Sequence, residues 1–314
     1  PVMALGLMSG TSLDGVDAAI IETDGRRVSA YGPTLAQPYP TALKARIRAQ
    51  LGHADIDPGL SRDITDFHAD IVDELLKQND IPHSDITIIG FHGQTTDHRP
   101  AAGITTQIGD GARLAQRTGI DVVNQFRLAD VAAGGEGAPF APLYHAALAE
   151  ALAKPVAVLN LGGVGNVTWI GAGIGPNGGE TGGGDDNLLA FDTGPANALI
   201  DDWIHDHTGA AYDNNGEIAA TGQIDEPRLT AAMAHDYFAR TPPKSLDRND
   251  FSEIAKALVE GAELPDGAAI LTAFTVRTVI AAAAHFPTPV ARWLVTGGGR
   301  HNRSGAGKAV RLAQ

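Results

Sequence analysis

The sequence predicts an α/β protein of two lobes related by duplication, and three features carry that prediction. Each half opens on two apolar strands joined by a glycine-rich turn: residues 3–7 and 18–23 flank the first turn, and residues 156–170 repeat the pattern around Gly162 and Gly163. Like units that each open one half of a chain are the mark of an internal repeat. Elsewhere, short apolar segments alternate with segments of helical spacing, the pattern of sheets covered by helices. The length of 314 residues accommodates two lobes. We set them at residues 1–154 and 155–314.

In the first turn, Gly10, Thr11, Ser12, Leu13, Asp14, Gly15, Val16 and Asp17 bring hydroxyls, glycines and carboxylates together. Backbone N–H groups and hydroxyls in such a turn can cradle a phosphate. Either Asp14 or Asp17 would hold a magnesium ion through water, because a carboxylate laid directly on a phosphate is repelled. The same residues also suit a tight hairpin with Gly10 and Gly15 at positive φ and no ligand.

Residues 31–40 read as irregular, 41–51 and 61–78 as helices from the spacing of Ile64, Phe67, Ile71 and Leu75, and 85–91 as a buried strand. That strand runs into His92, Gly93, Gln94, Thr95 and Thr96, a polar cluster placed like a site. His92, Asp97 and His98 match no zinc spacing. After a strand at 105–108, a helix at 110–118 and a strand at 121–124, Arg127 stands before a run of glycines. There it can take a carboxylate or phosphate in a bidentate fork, or pair with Asp130. An alanine-rich helix at 142–153 closes the first half.

In the second half, residues 171–187 are glycine-dense and predict a flexible hairpin extension. The strand that returns carries Asp192 into Gly194 and Pro195. A carboxylate at a strand end ahead of a helix is placed to act as a catalytic base, and equally to cap that helix, alone or with Asn197. Helices follow at 196–208, 226–234, 250–259 and 268–285; Lys244 lies in an exposed loop between them, where it could reach an anion, although a lysine there is more often just solvated. The last strand, 292–295, runs into Gly297, Gly298, Gly299, Arg300, His301 and Asn302, where glycines admit a flat ring and Asn302 can hydrogen-bond it. Gly307-Lys308 lacks the following Ser or Thr of a P-loop, and the segment from Gly163 to Thr168 lacks the last glycine of a dinucleotide fingerprint.

Composition narrows the function. The net charge of −14, with 23 scattered basic residues, argues against nucleic acid as a partner. With no cysteine, disulfides and thiolate metal sites are excluded, which fits the cytoplasm. The apolar start is too short for a signal peptide, and no apolar run approaches the roughly 20 residues that span a bilayer.

The order of these features resembles the acetate kinase, sugar kinase, Hsp70 and actin superfamily. Within it, residues 6–17, 92–95, 107–110, 160–166, 191–195 and 297–302 closely match the anhydro-N-acetylmuramic acid kinase family. The resemblance implies a two-lobed actin-like ATPase (ribonuclease H-like) fold with an interlobe cleft. It also implies an enzyme of cell-wall recycling that uses ATP and magnesium on a small amino sugar, 1,6-anhydro-N-acetylmuramic acid. Water opens the anhydro bridge and O6 is phosphorylated. By position, residues 10–17 would hold the ATP phosphates, with Gly162, Gly163 and Asn166 in the second hairpin and Gly297, Gly298 and Asn302 at the adenosine. Asp192 would be the base, Gln94, Thr95 and Arg127 would meet the sugar, and Asp14 would carry magnesium through water. A homodimer is also implied. The family continues past the triple-glycine turn with a further strand and helix, so the tail of this sequence reads as truncated or divergent. A catalytically weak ATP-binding protein, or a kinase for another sugar, remains open on these residues.

Overall fold

The computed structural model describes residues 1–10, 13–53, 55–172, 187–246 and 250–304. Two compact units divide the chain, Pro1–Phe140 and the remainder from Ala141. In the first, six strands form one sheet: β1 (Val2–Ser9), β2 (Gly15–Thr23), β3 (Val28–Pro38), β4 (Ile86–Arg99), β5 (Ile104–Ile108) and β6 (Asp121–Asn124). β1, β2 and β3 are antiparallel neighbours, whereas β4 lies parallel to β1 on the other side. Period-two burial sends Leu5 and Leu7 of β1, and Val16, Ala18 and Ile20 of β2, into the core. Helix α2 (Pro58–Gln78) covers them with Leu60, Ile64, Ile71 and Leu75, all on one helical face. Asp57 caps this helix by accepting from Gly59 N at 2.8 Å, and Pro58 occupies its first turn. Each such side chain contributes about 1.5–3 kcal/mol through its burial. Helices α1 (Thr41–Gln50) and α3 (Gly111–Thr118) flank α2, and α4 (Leu128–Ala132) is a short turn after β6.

The second unit repeats the design. Strands β7 (Val156–Leu161), β8 (Val164–Ile170) and β9 (Leu188–Pro195) are successive antiparallel neighbours, and β10 (Arg292–Thr296) runs parallel to β7 on the far side. The order β9-β8-β7-β10 therefore reproduces β3-β2-β1-β4. This duplication is the architecture expected of the actin-like, ribonuclease H-like class. β7 is buried almost throughout because both its faces are covered. Ala157, Leu159 and Leu161 meet the core that holds Val276 and Val279 of α10 (Leu264–Ala283), while Val156 and Val158 pack with Ala149. Helices α6 (Asn197–Thr208), α7 (Glu226–Met233), α8 (Asp236–Ala239) and α9 (Ser252–Val259) pack a further core with α10.

Several expectations are corrected. Residues 28–38 are the edge strand β3, not irregular chain; Gly32 and Pro33 fall where its pairing to β2 slips. An edge accepts proline because one side of the strand donates to no neighbour. β4 does not stop at Phe91: after pairing with β1 and β6 it bends at Gly93 (φ 68°) and continues against β5, so the polar cluster lies within the strand. The alanine-rich helix is α5 (Ala141–Leu148), which packs on β8 and β9 and so opens the second unit instead of closing the first. α10 is 20 residues long and apolar enough to cross a membrane, contrary to the sequence reading, and two-thirds of its most apolar stretch (67%) is buried in this unit's core. Most of the glycine-dense extension, residues 173–186, and Gly307-Lys308 lie outside the described residues.

The β2–β3 pairing supplies a stability prediction. A Cβ on Gly15 would stand 2.1 Å from the Gln37 carbonyl oxygen, on a backbone that cannot yield locally. Gly15→Ala is expected to lower the melting temperature by roughly 5 °C or more. Calorimetry showing no change would mean that the two strands part freely there.

Candidate functional site

In the first unit, the turn between β1 and β2 is tied down from several sides. Leu13 N donates to Gly10 O at 3.1 Å. Among the described residues of the turn, Leu13 is left-handed (φ 58°), and its side chain is buried in the core, which offsets the strain of about 1–2 kcal/mol. Val16 is buried in the same core, so Leu13 and Val16 offer a ligand only their backbones. Asp14 on the turn and Asp17 on β2 are exposed, and Gly15 is occupied by its contact with β3. Thr11 and Ser12 lie outside the described residues.

The bent strand β4 backs this turn. Ser9 Oγ donates to Gly93 O at 2.9 Å, and Gln94 Nε2 donates to Gly10 O at 3.1 Å and Thr95 O at 3.2 Å. Gln94 Oε1 accepts from the Tyr39 hydroxyl at 3.4 Å, so its fully buried amide is spent inside the unit. Thr95 is nearly buried, and its hydroxyl oxygen lies 3.4 Å from the Gln107 amide that donates to it.

Arg127 does not pair with Asp130, whose carboxylate accepts from Gly137 N at 2.7 Å. Its Nη2 donates instead to His92 Nε2 at 2.9 Å. His92 Nδ1 donates to Gly93 O at 2.7 Å, so Nε2 is the accepting nitrogen and the ring is neutral. Burial first, and then the Arg127 charge, hold the His92 pKa below its usual value. Arg127 Nε is buried with no partner. A guanidinium with no carboxylate partner among the described residues suits a carboxylate brought by a ligand. Asp97 is taken by both guanidinium arms of Arg99, at 2.9 and 2.7 Å, and no group of three metal-binding side chains occurs among the described residues.

In the second unit, Asp192 lies inside β9 opposite Asn166 of β8, not at the strand's end. It caps nothing: α6 begins at Asn197 with no side-chain cap. The Asn197 side chain instead donates to Leu161 O at 2.8 Å. Asp192 Oδ2 accepts from Leu246 N at 2.8 Å, its backbone N donates to Lys244 O at 3.1 Å, and its backbone O accepts from the Tyr237 hydroxyl at 2.6 Å. Burial pushes the carboxyl up to about 6, against the opposing pull of the Leu246 N–H. Lys244, expected to be exposed, is buried.

The β7–β8 turn docks on the start of α6: Ala196 N and Ala198 N donate to Gly163 O at 3.1 and 3.2 Å, and Asn197 N to Gly162 O at 2.9 Å. The triple-glycine turn packs alongside. A Cβ on Gly297 (φ 79°) would lie 2.5 Å from Leu161 O, and one on Gly299 2.7 Å from Asn197 Oδ1. A cavity of about 400 Å³ opens here, lined among others by Asn197, Tyr212, Asn215, Gly298, Gly299 and Asn302. Asn302, which lines it, is tied through its Oδ1, which accepts from Ser304 N at 3.0 Å, and Ser304 Oγ donates to Gly216 O at 2.9 Å. Glycines that a Cβ would overfill, beside amide side chains, fit a nucleoside. Lone exposed carboxylates such as Asp14 fit a magnesium ion that keeps most of its waters and binds mainly through phosphates.

The sequence missed His92 as the acceptor for Arg127, and Tyr237, Lys244 and Leu246 as the surroundings of Asp192. No local signal announces them, because each meets its partner across tens of residues.

A duplicated α/β fold with a half-buried, desolvated carboxylate, glycine hairpins and a nucleoside-sized cavity defines the class: an ATP-dependent sugar kinase. The family model for anhydro-N-acetylmuramic acid kinase matches residues 2–305. The chain belongs to the anhydro-N-acetylmuramic acid kinase family. It is 51% identical to the anhydro-N-acetylmuramic acid kinase of Paramagnetospirillum magneticum, over 96% of this chain and 81% of that one. It is likewise 51% identical to that of Rhodospirillum rubrum, over 96% and 77%. Among solved structures, the ROK hexokinase of Thermus thermophilus aligns over 99% of this chain and 86% of its own at 14% identity, with a TM-score of 0.37, too loose to bear on function.

Proposed function

We propose that this chain is an ATP-dependent kinase that hydrolytically opens 1,6-anhydro-N-acetylmuramic acid and phosphorylates O6, giving N-acetylmuramic acid 6-phosphate and ADP in cell-wall recycling. Family membership supports the substrate, and the observation that carries the mechanism is the half-buried Asp192 carboxylate, whose pKa desolvation raises to about 6. Asp192 takes a proton from a water molecule as that water bonds to the anomeric carbon. The bond from that carbon to O6 breaks, and O6 takes the γ-phosphoryl group with ADP leaving. Oδ2 is anchored by Leu246 N, which leaves Oδ1 to receive the proton. Arg127, held by His92, would bind the lactyl carboxylate, and Thr95 would contact the sugar. The backbone of residues 10–17, with Gly162, Gly163 and Asn166, would hold phosphates. Gly297, Gly298 and Asn302 would line the adenosine site. Magnesium, held through water by Asp14, would neutralise phosphate charge.

The test is ADP release with the anhydrosugar, ATP and magnesium. Turnover with this sugar but not with glucose is expected, and ADP release that needs no anhydrosugar would refute the reading. A base must be ionised, so kcat is expected to fall as pH drops through about 6, where Asp192 protonates. A kcat unchanged down to the ordinary aspartate range would remove Asp192 from that role.

A further inference from the structure

Lys244 is a buried cation that the mechanism does not use. Only 5% of it is exposed, yet no carboxylate lies within ion-pair distance of its ammonium among the described residues. Nζ donates to Tyr237 O at 3.2 Å, Phe238 O at 3.5 Å and His285 Nε2 at 3.2 Å, and stands 4.8 Å from the centre of the Tyr237 ring and 5.5 Å from that of Phe191. Burying an ammonium without a counter-ion is costly, and an apolar side chain would fill the same space without that cost. Every donor points at α8 carbonyls or at His285, so the group is turned to the protein and not to a ligand.

What the side chain holds is the backbone that holds Asp192. Lys244 O accepts from Asp192 N, and two residues on Leu246 N donates to Asp192 Oδ2. The same short helix that receives Nζ also supplies the Tyr237 hydroxyl to Asp192 O. Resting on the assignment of Asp192 as the base, we infer that Lys244 is a positioning residue: its buried ammonium pins the strap of residues 244–246 to α8, keeping the Leu246 N–H on one carboxylate oxygen and the other directed at water. An N–H on the carboxylate favours its ionised form, so release of the strap would also make the base harder to ionise.

Among the described residues, the charged and titratable groups at this corner are Asp192, Tyr237, Arg240, Lys244, Asp250 and His285. Lys244→Met retains length and contact with the two rings but removes the donors. It is expected to lower kcat on the order of 10- to 100-fold, leave KM for ATP unchanged and move the acid limb of the kcat–pH profile upward. Leu246→Pro, which deletes the N–H itself, is expected to do the same. The double variant should be no worse than Leu246→Pro alone, because both act through one hydrogen bond. A packing role would lower the melting temperature and leave the acid limb in place. Wild-type kcat and pH profile in Lys244→Met, or full additivity in the double variant, would overturn the inference. If Lys244→Met does not fold, Lys244→Gln, which keeps one donor for α8, is expected to give a smaller shift in the same direction; parity with wild type would again overturn it. Asp192→Asn assayed in parallel separates the two claims. An active Asp192→Asn removes the base assignment, whereas an inactive one beside a wild-type-like Lys244→Met removes only the role of Lys244.

Discussion

Asp192→Asn is expected to reduce kcat by roughly 10³-fold or more while stabilising the protein at neutral pH. Asparagine is isosteric and its oxygen can still accept from Leu246 N, so the local structure should persist. What disappears is the ability to take a proton. The stability effect follows from linkage. The carboxyl has an ordinary value of 3.8 and is pushed up to about 6 in the folded protein, so the folded state binds the proton more tightly. Stability contributed by this group is full below the ordinary value and is lost as pH rises through about 6. Above that pH the ionised side chain costs on the order of 2 kcal/mol, which asparagine does not. Thermal unfolding should therefore show Asp192→Asn melting above wild type at pH 8 and near it at pH 4. Wild-type turnover would remove the base; equal melting curves at pH 8 would mean that the carboxylate is not desolvated.

Gly297→Val is expected to raise KM for ATP by at least about tenfold and to destabilise the second unit by about 2–4 kcal/mol. Gly297 sits at φ 79°, a region that a β-branched residue rarely adopts, and its Cβ would press on Leu161 O and Asn160 Oδ1 at 2.5 and 2.6 Å. Those atoms belong to the end of β7, so the turn carrying Gly298, Gly299 and Asn302 must move away from the strand. Displacing that turn reshapes the 400 Å³ cavity while leaving Asp192 in place. Calorimetric titration with a non-hydrolysable ATP analogue checks this, and unchanged affinity would mean that the nucleoside binds elsewhere.

The residues that local pattern identified are those whose chemistry is written in neighbouring positions. Apolar alternation and helical spacing located nearly every element, and the glycine turns marked where backbone had to come close. Asp192 stood out as a carboxylate read at the end of an apolar strand, ahead of Gly194 and Pro195, although β9 runs on to Pro195. Where the pattern misled, it did so for stated reasons: residues 31–40 read as irregular although 28–38 form an edge strand whose pairing slips at Gly32 and Pro33, and the strand read as ending at Phe91 continues through the polar cluster that follows. Lys244 was read as exposed because a lysine between prolines and serine usually is.

The sequence by itself determined the duplication, the positions of both hairpins, the triple-glycine turn and the family, since each of these rests on local spacing. Only the tertiary structure decided that Asp192 carries a raised pKa and no capping duty, that Arg127 rests on His92 and not Asp130, and that Lys244 is buried behind the candidate base. Desolvation and hydrogen bonding depend on what packs against a group from distant parts of the chain, as Leu246 does 54 residues beyond Asp192.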